Sequence, residues 1–541
     1  MPRMKKNTLM GRLLSVTAAA LVSLLAVTAH AAAPGITGPT FDLSAEANYI
    51  TQPDGASVYS WGYGCQSAPA GYAPAAITGS CPTMQIPGPT LIVHQGETVT
   101  VTLHNNLPAA AGNTSILFPG FAVSTTTGVP GVLTQEAAVG GTVTYTFTAD
   151  KPGTHAYYSG TQGDLQVEMG LYGAIIVLPT LPGGLPTNYT TPTGQPATCH
   201  VVGTLPDGQT DYRLAAAAYD ISQACYDREY LFQLSEMDPV IHQQAEAQAA
   251  LPCTQPNGCM LIQTEPYHPA YFMINGRSMP DLMDPNYAVQ YPHQPYNGNP
   301  HMHPGELVLL RVIGTGRWQH PFHEHGNHVR VLARDGNLLL SQTDPTKLAG
   351  PLLFTTTTTP GEAMDGIYYW TGKGLNWDVY AHTATGPGSV YNLAPSDPRY
   401  ANYNGKPVVC TPDANGYYTA DPNAPNYYEW CADHNKALEA KPFGSVGSGG
   451  PVTLPDPNIL ANGPWYGGSA YLGPDATARA VGSTPIPPAG TVGNDPGSEA
   501  AYAYMWHSHN EREITTNNVF PGGMMMMMLV DPQTYSINEA N

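Results

Sequence analysis

The chain has 541 residues and a formal net charge of −20, from 20 Lys and Arg against 40 Asp and Glu. A surface this acidic has nothing to offset phosphate repulsion, which excludes nucleic acid as a natural partner. The 57 glycines and 53 prolines, with little helical periodicity between them, give the composition of β-sandwiches built from short strands and turns.

Residues 1–31 read as an export signal. Arg3, Lys5, Lys6 and Arg12 form a basic front, "LLSVTAAALVSLLAV" is an apolar run short for a membrane span, and Ala29-His30-Ala31 fits a small-x-small cleavage site. An uncleaved anchor is the alternative. Removing the segment takes away four positive charges and no negative one, which leaves 16 against 40, a net −24. No later run is apolar and long enough to span a bilayer. The mature chain is therefore expected to be exported: periplasmic, secreted or at the cell surface. The eight cysteines all lie in that mature part and show no CxxC spacing. In an oxidising compartment they are expected as disulfides between sequence neighbours: Cys65–Cys81, Cys199–Cys225, Cys253–Cys259 and Cys410–Cys431.

The mature chain holds one pattern twice. The first copy begins "PGPTLIVHQGETVTVTLHNNLP" (Pro87 to Pro108) and continues through "TSILFPG" (Thr114 to Gly120) and "GTHAYYSG" (Gly153 to Gly160). It closes with "GLYGAIIVLP" (Gly170 to Pro179). A linker is expected over 186–224 and a short helix around Asp238 to Leu251. The second copy runs "PGELVLLRVIGTG" (Pro304 to Gly316), "HPFHEHG" (His320 to Gly326), "AYAYMWHSH" (Ala501 to His509) and "GGMMMMMLVDP" (Gly522 to Pro532). Gly120 and Tyr158 are 38 positions apart, whereas Gly326 and His507 are 181 apart, so the second copy must hold a large insertion. Its Gly, Pro, Asn and Tyr content places it at about 383–499, as loops.

Histidine carries the chemistry. Alternate residues of a strand share a face, so His323 with His325, and His507 with His509, each form a same-face pair. Repeat-equivalent strands that neighbour each other would bring four imidazoles together, a neutral nitrogen set suited to copper, with zinc as the other metal. Alternation turns Glu324 away from that group. Glu511 or Glu513 is suited to orient an imidazole by accepting its other N–H. His301 and His303 form a third His-x-His, read either as structural or as an accessory surface site. The five methionines Met524 to Met528 fit a buried closing strand, with thioether copper ligation as the alternative.

The two copies resemble the cupredoxin domains of multicopper oxidases. "HPFHEHG" is similar to that family's HPxHxHG, and "WHSH…GGMM" to its closing HCHxxxHxxxGM. The resemblance implies an all-β fold of two cupredoxin-like Greek-key β-sandwich domains with a long loop-rich insertion in the second. Their expected bounds are 34–185 and 225–541. It also implies departures. Leu117, Pro119, Tyr158 and Gly160 stand where the first domain would supply four histidines, and His94, His104 and His155 lie off those positions. Ser508 stands in place of the blue-copper cysteine and Glu513 in place of its histidine. His320 matches the one remaining ligand of that site, as a metal ligand or as a hydrogen-bonded core residue. The expected function is copper binding through His323, His325, His507 and His509, with oxidoreductase chemistry on a small molecule or metal ion but not four-electron oxygen reduction. The alternatives are copper or zinc sequestration without turnover, and a metal-free structural or surface-interaction protein. No catalytic residue is assigned.

Overall fold

The computed structural model describes residues 33–75, 79–187, 189–190, 196–203, 211–372, 413–414, 468–471, 501–531 and 537. The expected signal, Cys410 with Cys431, and nearly all of the expected insertion lie outside the described residues. The first half contributes β1 (Gly35–Thr37), β2 (Thr40–Thr51), β3 (Ser57–Cys65), β4 (Tyr72–Ala73), β5 (Leu91–His94), β6 (Thr98–Asn105) and β7 (Ser124–Thr127). It continues with β8 (Thr142–Thr148), β9 (Gly153–Tyr158), the one-turn helix α1 (Gly163–Gln166) and β10 (Tyr172–Leu178). One sheet has the order β9-β10-β5-β1-β4 and the other β3-β2-β6-β8-β7. Strand alternation decides what lies between them: Leu91, Val93, Ile175 and Val177 from one sheet meet Leu43, Trp61, Val101 and Tyr145 from the other in a closed core.

The second half contributes β11 (Arg228–Met237), α2 (Pro239–Gln248), β12 (Tyr271–Ile274), β13 (His301–Met302), β14 (Leu307–Gly314), β15 (Pro321–Glu324) and β16 (Val329–Arg334). β17 (Thr355–Thr357), β18 (Ala363–Tyr369), β19 (Ala501–Ser508) and β20 (Met525–Val530) complete it. Its sheets run β12-β11-β14-β18-β16 and β13-β20-β19-β15-β17, with shorter strands at their margins. Val308, Leu310 and Val312 of β14 and Phe232 of β11 face Phe322, Trp506, Met526 and Met528 across the core between these two sheets. Met526 and Met528 of β20 are buried there, while Met525 is buried outside that core and Met527 is half-buried, as a closing strand covered on both faces expects.

The two sandwiches meet through sheets that are apolar on both faces. Ile92, Ala174 and Ile176 of the first pack against Leu231, Ile313 and Ala363 of the second. That explains why "GAIIV" and "LVLL" read as unbroken apolar runs instead of alternating ones. A polar tie crosses the same interface: Arg311 pairs with Glu229 at 2.8 Å and donates to the Thr154 hydroxyl at 3.0 Å. Ala217, Tyr219 and Tyr226, around the end of the stretch expected as a linker, pack against Leu307, Leu309 and Leu332 of the second sandwich.

Helix α2 lies where the sequence places a helix, and Asp238 caps it by accepting from the Val240 amide. Three of the expected disulfides are present, Cys65–Cys81, Cys199–Cys225 and Cys253–Cys259. The surface alternative for the third His-x-His is corrected. His301 and His303 are both buried, with His301 bonded to Asp531 at 2.6 Å and His303 to Glu306 at 3.0 Å. Asp531 in particular is remote in sequence, so the local pattern around His301 gave no sign of its partner. Among the described residues no helix is long and apolar enough to cross a membrane.

Candidate metal centre

Strand pairing sets the site. β15 and β19 run antiparallel with Phe322 opposite Ser508 and His323 directly opposite His507. Cross-strand partners of this kind hold their side chains on one face. His325 and His509 extend the two pairs just beyond the ladder. Ring centroids lie 4.6 Å apart for His323 and His325, 5.1 Å for His325 and His507, and 5.1 Å for His323 and His509. Those of His507 and His509 are 5.5 Å apart. His323 is buried, whereas His509 is exposed, so the group opens to solvent on the His509 side.

The backbone around His325 is held by its neighbours. Trp506 Nε1 and the Tyr368 hydroxyl both donate to the His325 carbonyl, at 3.0 and 3.1 Å. Gly326 follows at φ +99°, where an added Cβ would lie 2.5 Å from the Tyr368 hydroxyl. The last glycine of "HPFHEHG" is therefore required by backbone conformation and by close approach.

His323 and His507 are arranged as neutral donors. Burial, and then the neighbouring rings of His325, His507 and His509, push His323 down to about 4. Burial also lowers His507, against the opposing pull of the Ser508 carbonyl and the Glu511 charge. His507 Nδ1 donates to the Ser508 carbonyl at 2.7 Å, which assigns the lone pair to Nε2. His323 Nδ1 is bonded to the Thr355 hydroxyl at 2.8 Å. His507 Nε2 and His325 Nε2 are 3.2 Å apart. Two nitrogens bound tetrahedrally to one ion at about 2.0–2.1 Å would be separated by ~3.3 Å. Among the described residues, however, no three His, Cys, Asp or Glu side chains already aim their donor atoms at one metal position. The pairing of the two strands is fixed by the backbone ladder.

His320 belongs to a different arrangement. Its ring is fully buried, with Nε2 2.9 Å from Glu236 and Nδ1 2.9 Å from Glu513. Burial alone would lower its proton affinity, but hydrogen bonds to the two carboxylates and their charges outweigh that and push it up to about 9. Both nitrogens then donate, which is the hydrogen-bonded alternative of the sequence and leaves no lone pair for a metal. Glu513 also accepts from the Ser508 hydroxyl at 2.5 Å and from Asn510 at 2.9 Å. It thus orients His320 and Ser508. Glu511 is exposed and acts on His507 through its charge. Glu324 points away from the cluster, buried, and accepts from the Thr356 hydroxyl.

In the first sandwich, Leu117 and Tyr158 bond backbone to backbone, and the Leu117 side chain fills the space beside Gly160. Close to them lies a polar network that sequence reading missed. Thr161 donates to Glu136 at 2.8 Å, Asn113 donates to Glu136 at 3.0 Å, and Ser159 donates to Gln166 at 2.7 Å. Of the histidines off the motif, His104 pairs with Asp42 at 2.8 Å and His155 bonds the Lys151 carbonyl at 3.0 Å. Glu236 was also missed. Its one signal is a carboxylate in "YLFQLSEM", a strand buried along its whole length, where an acid needs a partner.

Comparison with known proteins matches residues 78–181 to the family described as multicopper oxidase. An L-ascorbate oxidase of Brassica rapa subsp. pekinensis is 40% identical over 96 residues, which are 17% of this chain and 16% of that protein. Laccase-3 of Botryotinia fuckeliana is 37% identical over 97 residues, 17% of this chain and 20% of that protein. The chain therefore covers a fifth or less of the length of these relatives. Among solved structures, the multicopper oxidase mgLAC aligns over 91% of this chain and 85% of its own, at 16% identity and a TM-score of 0.42.

Proposed function

From the premise that residues 78–181 form a domain of the multicopper oxidase family, we propose that this is an exported copper-binding protein whose metal is held in the second sandwich by His323, His325, His507 and His509. The observation that supports this most is the direct pairing of His323 with His507, which gathers the two His-x-His motifs on one face. The donor set fits copper: neutral imidazoles, with the His507 tautomer fixed so that Nε2 is the ligating nitrogen. Zinc fits the same nitrogens. Copper bound there would supply one-electron exchange or Lewis-acid polarisation of a small ligand. The chain's own residues bind and orient: Thr355 fixes His323, Ser508 fixes His507 through its carbonyl, and the exposed His509 side gives a small molecule or metal ion access.

Ser508 offers no thiolate, and Leu117, Pro119, Tyr158 and Gly160 offer no imidazole. These residues favour a second reading, sequestration of copper without turnover. Metal content per chain, measured after purification without added copper, followed by assays with phenols, metal ions and peroxide, tests both. Bound copper with peroxide-dependent turnover that is lost in His507→Ala/His509→Ala supports an oxidoreductase. Bound copper without turnover supports sequestration. A metal-free protein that takes up neither copper nor zinc contradicts both and leaves a structural role. A strongly blue protein that reduces dioxygen to water would contradict the ligand reading.

A further inference from the structure

Four fully or almost fully buried polar residues link three separate elements beside the candidate metal centre. Glu236 lies near the end of β11, His320 immediately precedes β15, and Ser508 and Glu513 lie at the end of β19 and in the turn after it. Exposure is 3% for Glu236 and 0% for the other three. We propose that Glu236, His320 and Glu513 form a charged clamp that sets the end of β19, and with it His507 and His509, against the strand bearing His323 and His325. His320 and Glu513 are thereby positioning residues for the four imidazoles and not ligands. The part of the inference that concerns metal affinity rests on the four-histidine reading above.

Each end of the clamp is fixed independently. Glu236 accepts from the Arg317 amide at 2.6 Å and the Trp318 amide at 3.0 Å, besides His320. The absence of a side chain at Gly316 makes room for it, since a Cβ there would lie 2.0 Å from Glu236 Oε2. At the other end, Glu513 holds Ser508, the residue between His507 and His509, and Asn510 two positions further on. Phe322, two residues beyond His320, is the register partner of Ser508. The clamp and the ladder therefore act on the same place: the ladder sets which residues face each other, and the ionic contact sets how closely the strand ends approach. An imidazole between two buried carboxylates also makes the arrangement all-or-none, because removing one member leaves buried polar groups unmatched.

The test uses the full mature chain as wild type, His320→Gln, Glu513→Gln and Gly316→Ala. The last displaces Glu236 without altering a charged residue. Hydrogen exchange in the metal-free proteins reads strand position directly. The Ser508 and His509 amides, bonded to the Met524 and Pro321 carbonyls, are expected to lose protection roughly tenfold or more in all three variants. Protection of 98–105 in the first sandwich should not change. Copper affinity, read by competition with a chelator, is expected to fall roughly 10- to 100-fold, the range for residues that orient a ligand from behind. Unchanged exchange at Ser508 and His509 in the variants that fold overturns the clamp. If His320→Gln does not fold, Glu513→Gln and Gly316→Ala decide the question. If wild type binds neither copper nor zinc, the four-histidine reading fails, and the exchange result alone judges the clamp.

Discussion

Raising the pH should remove a definite part of the second sandwich's stability through His320. The folded protein holds the His320 proton up to about 9, against an ordinary value of 6.5. Because the folded state binds this proton more tightly than the unfolded state, its stabilisation is complete below pH 6.5 and is lost as the pH rises toward about 9. At ~1.4 kcal/mol for each tenfold change in proton affinity, the loss is on the order of 3 kcal/mol. For a domain of this size that corresponds to roughly 6–12 °C in Tm. Differential scanning calorimetry from about pH 6 to 9.5 measures it, with Glu236→Gln/Glu513→Gln as the control. In the control the two carboxylate charges are gone and burial, which lowers the proton affinity of His320, dominates, so the part of the alkaline loss due to His320 should vanish and a loss below pH 6.5 should replace it. Glu324, which burial pushes up to about 8, adds an alkaline slope common to both proteins, whereas the slope from Glu168, also pushed up to about 8 by burial, is smaller in the control because the Glu236 charge helps to raise it. Parallel pH profiles in wild type and control would refute the assignment of a charged His320.

Three further outcomes follow from the packing. Arg311→Met should lower stability by about 3–5 kcal/mol, because it leaves the buried carboxylates of Glu229 and Asp365 unmatched at the contact between sandwiches. Thermal unfolding measures it, and a loss under about 1 kcal/mol would show the tie to be dispensable. Gly326→Ala should destabilise by about 1–3 kcal/mol, since the new Cβ meets the Tyr368 hydroxyl at a positive φ, and chelator competition should find weaker copper binding through His325. Non-reducing peptide mapping should recover Cys65–Cys81, Cys199–Cys225 and Cys253–Cys259, with Cys410 and Cys431 paired to each other. Several free thiols would contradict the exported, oxidised chain, and other pairings would contradict the pairing of sequence neighbours.

The legible parts of this protein are those encoded over short distances. His-x-His needs only strand alternation, the α2 start needs only an Asp before a Pro, and the repeated order of motifs anticipated that β15 and β19 would be neighbours. The less legible parts depend on partners remote in sequence. Glu236 and His320 are 84 positions apart and meet through the sandwich, so the sequence favours a bonded core role for His320 without naming its partner and leaves a ligand role open. A surface role for His301 and His303 stayed open as an alternative because Asp531, 230 positions after His301, gave no local sign of drawing it inward. The polar network around Glu136 and Gln166 has the same cause: residues of ordinary loop composition become a satisfied interior only when separate loop segments converge. Continuous apolar runs were legible as buried strands, but not which sheet of the other sandwich covered them.

The central claim is that two histidine pairs on opposing strands share one metal. Equilibrium dialysis of copper against wild type, His323→Ala/His325→Ala, His507→Ala/His509→Ala and the control His94→Ala/His104→Ala tests it most directly. Stoichiometric binding is predicted in wild type and in the control, and its loss in both of the other double variants. Stoichiometric copper retained by both the 323/325 and the 507/509 variants would contradict it.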